Sequence, residues 1–312
     1  MRFTLANTAE FTGVGLHSGR PVTARVLPAM PGVGIVFERT DAALGTGRVP
    51  ARFDLVTDTR LCTRLENAHG VTVGTVEHLM AALAGCGIAD ARIVLDGPEV
   101  PIMDGSSRIF VQGFARAGVV ATGPAPKRLR VLRKIEVVDG DKRASLLPAQ
   151  EGQKGLTIRF SIDFDDPAIG RQSHALALTG SRFAEELADC RTFGHFSEVE
   201  QLRKLGLARG GSLENAIVVD KGRVMNPGGL RRRDEFVRHK ILDAVGDLAL
   251  AGMPITGVYE GVKAGHGLTN ELLRALFAET DAWELVDEPS AVTALPAAPR
   301  QGRTGERRRV AV

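Results

Sequence analysis

The sequence is poor in several features, and each shortage excludes a class of protein. Three cysteines occur among 312 residues, Cys62, Cys86 and Cys190. They are odd in number, far apart and form no CxxC pair. That argues against a disulfide framework or a thiolate zinc site, and fits a reducing compartment. Long apolar runs are missing too. The longest, Leu79–Ala89, has 11 residues and two glycines, against roughly 20 for a membrane span. The N-terminal MRFTLANTAEF lacks the apolar stretch of a secretory signal. A cytoplasmic protein without stable membrane insertion is expected. Aromatics make only 5%, so the core must be largely aliphatic. Charge of either sign is scarcely in surplus: 40 Lys+Arg stand against 37 Asp+Glu, for +3. A nucleic-acid-binding protein would have to rely on Arg231-Arg-Arg233 and the Arg-rich C-terminus, with steeply salt-dependent binding. With few aromatics and no known motif, no nucleic acid is expected as partner.

What is present is ordinary for a globular chain, with 44% hydrophobic and 25% charged residues. The length allows one large or two smaller domains. Strand-like runs cover Thr23–Leu27, Gly34–Phe37 and Arg92–Leu95. Between the last two, Val76, Leu79, Met80 and Leu83 follow helical spacing. Thr75 is the expected N-cap of that helix and Gly85 its stop. A second helix is expected from Ser106 or Ser107 to Ala117. The Gly/Ala/Pro-rich stretch Gly118–Lys127 reads as a linker. Domains are therefore expected at residues 1–125 and 126–288. In the second, strands fit Lys134–Val138, Leu156–Ile162, Ala216–Val219 and Thr256–Val262, and a helix fits Asp234–Ala251. Ala-Leu-Ala-Gly85 followed by Ile88, and Ala-Leu-Ala-Gly252 followed by Ile255, hint at an internal duplication. Residues 289–312, rich in Pro, Ala and Arg, are expected to be a disordered basic tail.

The chemistry concentrates in a few places. On the 234–251 helix, Val237, Ile241, Ala244, Val245 and Leu248 form one apolar stripe. His239, Asp243 and Asp247 form a separate polar stripe at i, i+4, i+8. Neighbours four apart lie roughly 5–6 Å apart at Cβ, close enough for His239 and Asp243 to share a metal ion. A solvated face with an ordinary His–Asp pair has the same pattern. Glu77-His78 could add a third ligand and a base, leaving one zinc position open for water. An exposed Glu beside a packed His would read alike. No HExxH is present, which weighs against a metallopeptidase. His266, between glycines in Lys263-Ala-Gly-His266-Gly-Leu-Thr-Asn270, is expected on a loop entering a helix capped by Thr269 or Asn270. That loop suits close approach of a substrate, or is simply mobile. Thr12-Gly-Val-Gly-Leu-His-Ser-Gly19 lacks the full GxGxxG and reads as a tight hairpin.

Taken in order, seven stretches resemble one family. They are Thr12-Gly-Val-Gly-Leu-His17, Leu61-Cys62-Thr63, Thr75-Val-Glu-His-Leu79, Pro101-Ile-Met-Asp-Gly-Ser106, Arg191-Thr-Phe-Gly194, Glu235-Phe-Val-Arg-His-Lys-Ile-Leu-Asp243 and Gly265-His-Gly-Leu-Thr-Asn270. The chain is similar over about residues 2 to 287 to the bacterial UDP-3-O-acyl-N-acetylglucosamine deacetylases, zinc enzymes of lipid A synthesis.

The resemblance implies an α+β fold: two stacked small domains, each a β-sheet packed against helices, with the active site at their interface. It implies one zinc per chain on His78, His239 and Asp243, although the same ligand set suits iron. Glu77 becomes the general base and His266 the second catalytic histidine; either could protonate the leaving amine. Lys240 would lie near metal and substrate, Asp247 would orient the histidine, and Thr192 would approach the oxyanion with Phe193 beside it. Phe164 would stack on uracil, and Lys142, Lys240 and Lys263 would meet the diphosphate. An insert from about His195 to Ser212 would form the acyl passage, with Val199, Leu202, Leu207, Gly211 and Leu213 as lining candidates. Leu61 and Cys62 would lie near sugar and acyl group. His195 departs from a position that is usually aromatic or apolar in the family. The implied substrate is UDP-3-O-acyl-N-acetylglucosamine and the implied state a monomer. Another zinc amidohydrolase is the nearest alternative.

Overall fold

The structure, a computed structural model, describes residues 1–288; the expected tail lies outside the described residues. The first half begins with β1 (Arg2–Leu5), β2 (Ala9–Val14), β3 (Pro21–Pro28), β4 (Ile35–Arg39) and β5 (Arg48–Pro50). It continues with β6 (Val56–Asp58), β7 (Arg64–Glu66), β8 (Thr72–Val73), helix α1 (Glu77–Gly85), β9 (Ala91–Leu95), α2 (Arg108–Ala117) and β10 (Val119–Gly123). The second half holds β11 (Arg128–Val131), β12 (Ile135–Asp139), β13 (Lys142–Leu147), β14 (Leu156–Asp163), β15 (Arg171–Ala177) and a short α3 (Gly180–Arg182). Then come β16 (Phe193–His195), α4 (Phe196–Lys204), β17 (Ile217–Asp220), β18 (Arg223–Val224), α5 (Glu235–Ala249), β19 (Ile255–Val262), α6 (His266–Ala278) and β20 (Trp283–Val286).

Alternation fixes which strand face turns inward. In β3, Val22, Ala24 and Val26 are buried and their neighbours are not; β14 does the same with Leu156, Ile158, Phe160 and Ile162. The two main sheets share one design. The first runs β2-β3-β9-β4-β5 and the second contains β12-β13-β19-β14-β15. In both, the central strand is antiparallel to one neighbour and parallel to the other. In both, one helix precedes the central strand and one follows it. The duplication hinted at by the two Ala-Leu-Ala-Gly segments is thus a repeated topology. Ile88 and Ile255 play matching parts, each pairing in parallel with the first strand of its half, at Phe3 and Leu129. The result is the mixed α+β architecture of sheets packed against helices that the resemblance implied.

Helices α1 and α5 pack on each other between the two halves. The predicted apolar stripe of α5 is buried throughout, each large aliphatic side chain contributing about 1.5–3 kcal/mol. Its polar stripe is buried as well: His239, Asp243 and Asp247 are 2%, 5% and 3% exposed. The solvated-face reading fails on those values.

Three local expectations need correction. Thr75 does not cap α1: Val76 takes that position, and Thr75 has φ +54 with its hydroxyl donating to Glu99 at 2.8 Å. Gly85 is the last helical residue rather than a left-handed stop; Gly87, with φ +70, reverses the chain. A Cβ on Gly85 would overlap the Phe183 ring, so packing explains that glycine. The expected linker is half strand: Val119–Gly123 pairs antiparallel with β1, and only 124–127 runs free before β11.

Candidate active site

His78 lies in the first turn of α1, and His239 and Asp243 lie one turn apart on α5. The helix crossing brings all three together, with ligating atoms within 4.8 Å of one another. His78 Nε2 is 3.5 Å and His239 Nε2 3.3 Å from Asp243 Oδ1. The imidazoles meet edge to face, with centroids 5.0 Å apart. Asp243 Oδ1 is buried and has no hydrogen-bond partner among the described residues. A buried carboxylate oxygen left so would cost several kcal/mol, about 1–3 or more, unless something binds it. Two ligands about 2.0–2.1 Å from one tetrahedral ion stand roughly 3.4 Å apart, close to the spacing seen. Two imidazole nitrogens and one carboxylate oxygen fit a zinc ion.

The surroundings prepare these groups for a metal. His239 Nδ1 donates to the Cys190 carbonyl at 3.1 Å, which turns the Nε2 lone pair toward Asp243. Burial pushes the His239 imidazole down to about 3, keeping it neutral. Burial opposes the charge of Asp243, but His239 and Lys240 outweigh it and hold this carboxyl well below its ordinary range. Lys240 Nζ donates to Asp243 Oδ2 at 2.9 Å. Burial disfavours that ammonium, and Asp243 overcomes the effect and raises it.

A second group of side chains stands beside the first. Glu77, 3% exposed, precedes His78. Desolvation raises its carboxyl, with neighbouring histidines pulling the other way. His266 is not on a loop before the helix: it is the first residue of α6, which Gly265 and neither Thr269 nor Asn270 caps, and it shares its Nδ1 with Asp247 Oδ2 at 2.8 Å. Burial alone would lower this imidazole, but the Asp247 charge and hydrogen bond raise it to about 9. Glu77 and His266 thus set a buried carboxyl group near an imidazole that favours its proton.

Thr63 closes the Leu61-Cys62-Thr63 stretch. It joins the two groups: its backbone N–H donates to Glu77 Oε2 at 3.0 Å and its hydroxyl to Asp247 Oδ1 at 2.6 Å. Glu99 lies outside the seven family-like stretches. Its carboxylate accepts from the backbone of His17 and Ser18, and from Thr75 in its left-handed conformation. It thereby ties the glycine-rich β2–β3 turn to the entry of α1. Buried Glu235 fixes the Arg191–Gly194 turn through Arg191 Nε at 2.9 Å, which places the Cys190 carbonyl against His239. Glu235 opens one of the seven family-like stretches, but nothing local in the sequence marks its pairing with Arg191, 44 residues away.

The remaining candidates fall in several places. Thr192 is half-buried, with its N–H on Gly105 and its carbonyl on Ile217. Phe193 packs 4.9 Å from Phe236 and 6.2 Å from His239, beside the metal-type cluster. Phe164 lies edge-on to Phe193 at 5.6 Å, with His195 at 6.2 Å and His195 Nδ1 3.9 Å from Asp166. Cys62 is half-buried, its thiol pushed up to about 12 by burial and the charge of Glu77; Leu61 is exposed. Lys142 is exposed at the β12–β13 turn. Lys263 pairs with Asp141 at 2.9 Å and Asp163 at 3.4 Å, and Lys240 with Asp243. The two paired lysines thus face carboxylates first. In the insert, Val199 and Leu202 are half-buried on α4, as are Leu207, Gly211 and Leu213 after it; Arg203 donates to the Gly211 carbonyl. Arg231 and Arg232, two of the three arginines in the Arg231-Arg-Arg233 run, are held by Asp104 and Asp189. No helix among the described residues is long and apolar enough to cross a membrane.

The chain is similar to known proteins over most of its length. A family model described as UDP-3-O-acyl N-acetylglycosamine deacetylase matches residues 2–278. A UDP-3-O-acyl-N-acetylglucosamine deacetylase of Phenylobacterium zucineum is 51% identical over 283 residues, covering 90% of this chain and 95% of the relative. One of Myxococcus xanthus is 52% identical over 284 residues, covering 91% and 88%. One of Shewanella frigidimarina is 47% identical over 285 residues, covering 91% and 92%.

Proposed function

The chain belongs to the UDP-3-O-acyl N-acetylglycosamine deacetylase family, and on that premise we propose that His78, His239 and Asp243 hold one catalytic zinc ion beside a Glu77–His266 acid–base pair. The reaction is hydrolysis of the acetamide of UDP-3-O-acyl-N-acetylglucosamine, giving the free amine and acetate, in lipid A biosynthesis. The observation that carries the metal reading is Asp243 Oδ1, buried and unpartnered between two imidazole Nε2 atoms. When bound, zinc supplies Lewis acidity toward the carbonyl and lowers the pKa of water.

The chain's own groups carry the rest. Glu77 takes a proton from the attacking water, whose oxygen adds to the acetamide carbon. Its raised pKa suits that task. His266, protonated and held through Nδ1 by Asp247, offers Nε2–H to the negative oxygen that develops. When the C–N bond breaks, His266 gives its proton to the leaving nitrogen. The Thr192 hydroxyl is a further donor for the oxyanion. Lys240 keeps Asp243 ionised and oriented. We assign uracil to the Phe164–Phe193 edge, with Leu61 and Cys62 near the sugar. The acyl chain goes to the α4 insert through Val199, Leu202, Leu207, Gly211 and Leu213. Lys142 and Lys263 are assigned to the diphosphate, as point charges. Three unpaired cysteines, two of them buried, agree with the cytoplasmic setting we propose.

Metal analysis combined with acetate release tests the reading. About one zinc per chain is expected, with activity lost on chelation and restored by zinc. Glu77→Gln should keep the metal and lower kcat by about 10²–10⁴-fold. His78→Ala and Asp243→Ala should lose the metal itself. Full activity in metal-free protein, or wild-type kcat in Glu77→Gln, would overturn the assignment.

A further inference from the structure

Thr63 is 1% exposed and lies between β6 and β7, where the two halves meet. Three of its polar groups are engaged. The backbone N–H donates to Glu77 Oε2 at 3.0 Å, the carbonyl accepts from Val76 at 3.3 Å, and the hydroxyl donates to Asp247 Oδ1 at 2.6 Å. An ionised carboxylate only accepts, so the hydroxyl must be the donor in that last bond. The other oxygen of Asp247 holds His266 Nδ1 at 2.8 Å. One residue of the first half therefore touches the base directly and the acid through a single carboxylate of the second half.

We propose that Thr63 is a positioning residue that holds the general base Glu77 and the Asp247–His266 acid in one register across the domain interface. The two catalytic groups arrive on different elements: Glu77 at the start of α1, and His266 at the start of α6. Neither helix alone fixes their mutual distance. The bonds from Thr63 to Glu77 and Asp247, with the Asp247–His266 bond, form one continuous chain linking them. Asp247 has two oxygens and two donors, Thr63 and His266, so the hydroxyl sets the plane of the carboxylate that orients the imidazole. Groups that orient metal ligands from behind typically matter by about 10–100-fold in affinity or activity, and Thr63 stands in the same relation to the acid and the base. The proposal rests on the reading of Glu77 and His266 as base and acid.

Thr63→Val removes the hydroxyl while keeping shape and the backbone N–H to Glu77; Thr63→Ser restores a hydroxyl. With the zinc-loaded enzyme, Thr63→Val should lower kcat by about 10–100-fold, with KM within about twofold and metal content unchanged. Thr63→Ser should stay within about threefold of wild type. Thr63→Ala serves the same comparison without the added methyl, should Val disturb folding. In an Asp247→Asn background, Thr63→Val should cost less than about twofold more, because its route to His266 is already broken. Wild-type kcat in both Val and Ala variants would overturn the proposal. So would a Ser variant as slow as Val, or an undiminished loss in the Asp247→Asn background. If Glu77→Gln and Asp247→Asn themselves left kcat intact, the acid–base reading would fail first, which separates the two failures.

Discussion

His266 carries its proton at neutral pH because Asp247 stands against Nδ1 and outweighs the cost of burial. Its folded pKa of about 9 lies above the ordinary 6.5. Protonation therefore favours the folded state. That contribution is complete below about pH 6.5 and is lost as pH rises through about 9. Melting curves of zinc-loaded wild type and His266→Gln should differ at about pH 6 and converge toward about pH 10. The wild-type rate should fall along the same alkaline limb, and His266→Gln should be slow with that limb missing. A melting difference that is constant across pH would contradict the assignment of this proton. At this scale the sequence was uneven to read. His239 and Asp243 announce themselves by their i, i+4 spacing, and Glu77-His78 by adjacency. Thr63 has no such signature: its partner Asp247 is 184 residues away, and no local pattern encodes a tertiary hydrogen bond.

Helices α1 and α5 cross so closely that a Cβ on Gly246 would overlap the carbonyl of Glu77. An exposed helical glycine replaced by alanine gains about 1 kcal/mol of helix propensity. Here overpacking decides the sign, and Gly246→Ala should destabilise the fold by about 1–3 kcal/mol. Pushing α1 off α5 also moves His78 away from His239 and Asp243, so zinc affinity should fall with stability. Denaturant unfolding and a zinc titration check both; a more stable variant with unchanged affinity would disprove the close crossing. Periodicity located these helices well, because one buried stripe in 3.6 residues per turn is a local property. Their ends were misread for a physical reason. Thr75 answers to Glu99 and Gly85 to Phe183, so distant partners override the local capping rules. The Val119–Gly123 strand was hidden likewise. Its composition is that of a linker, and only the free edge of β1 makes it a strand.

At the scale of the molecule, two copies of one topology face each other across α1 and α5, and each supplies part of the proposed site: Glu77 and His78 from the first, His239, Asp243 and His266 from the second. Distant motifs in the sequence, each weak alone, converge for that reason. The domain edge we propose at residue 288 has a physical marker. Glu288 pairs with Arg130 and accepts from the Thr256 hydroxyl at 3.0 Å, so the chain is still anchored to the second sheet at that residue. The family match ends earlier, at residue 278. Residues 289–312 carry five arginines against Glu306 alone, a surplus of +4, so with +3 for the whole chain the first 288 residues sum to −1. The basicity therefore lies outside the part that holds the site. Truncation after Glu288 should leave zinc content unchanged and kcat/KM within about twofold, while retention on a cation exchanger falls. Any nucleic-acid binding by the full chain should weaken steeply with salt and vanish on truncation. A truncated protein that lost its zinc or most of its turnover would place catalytic function beyond residue 288 and refute this boundary.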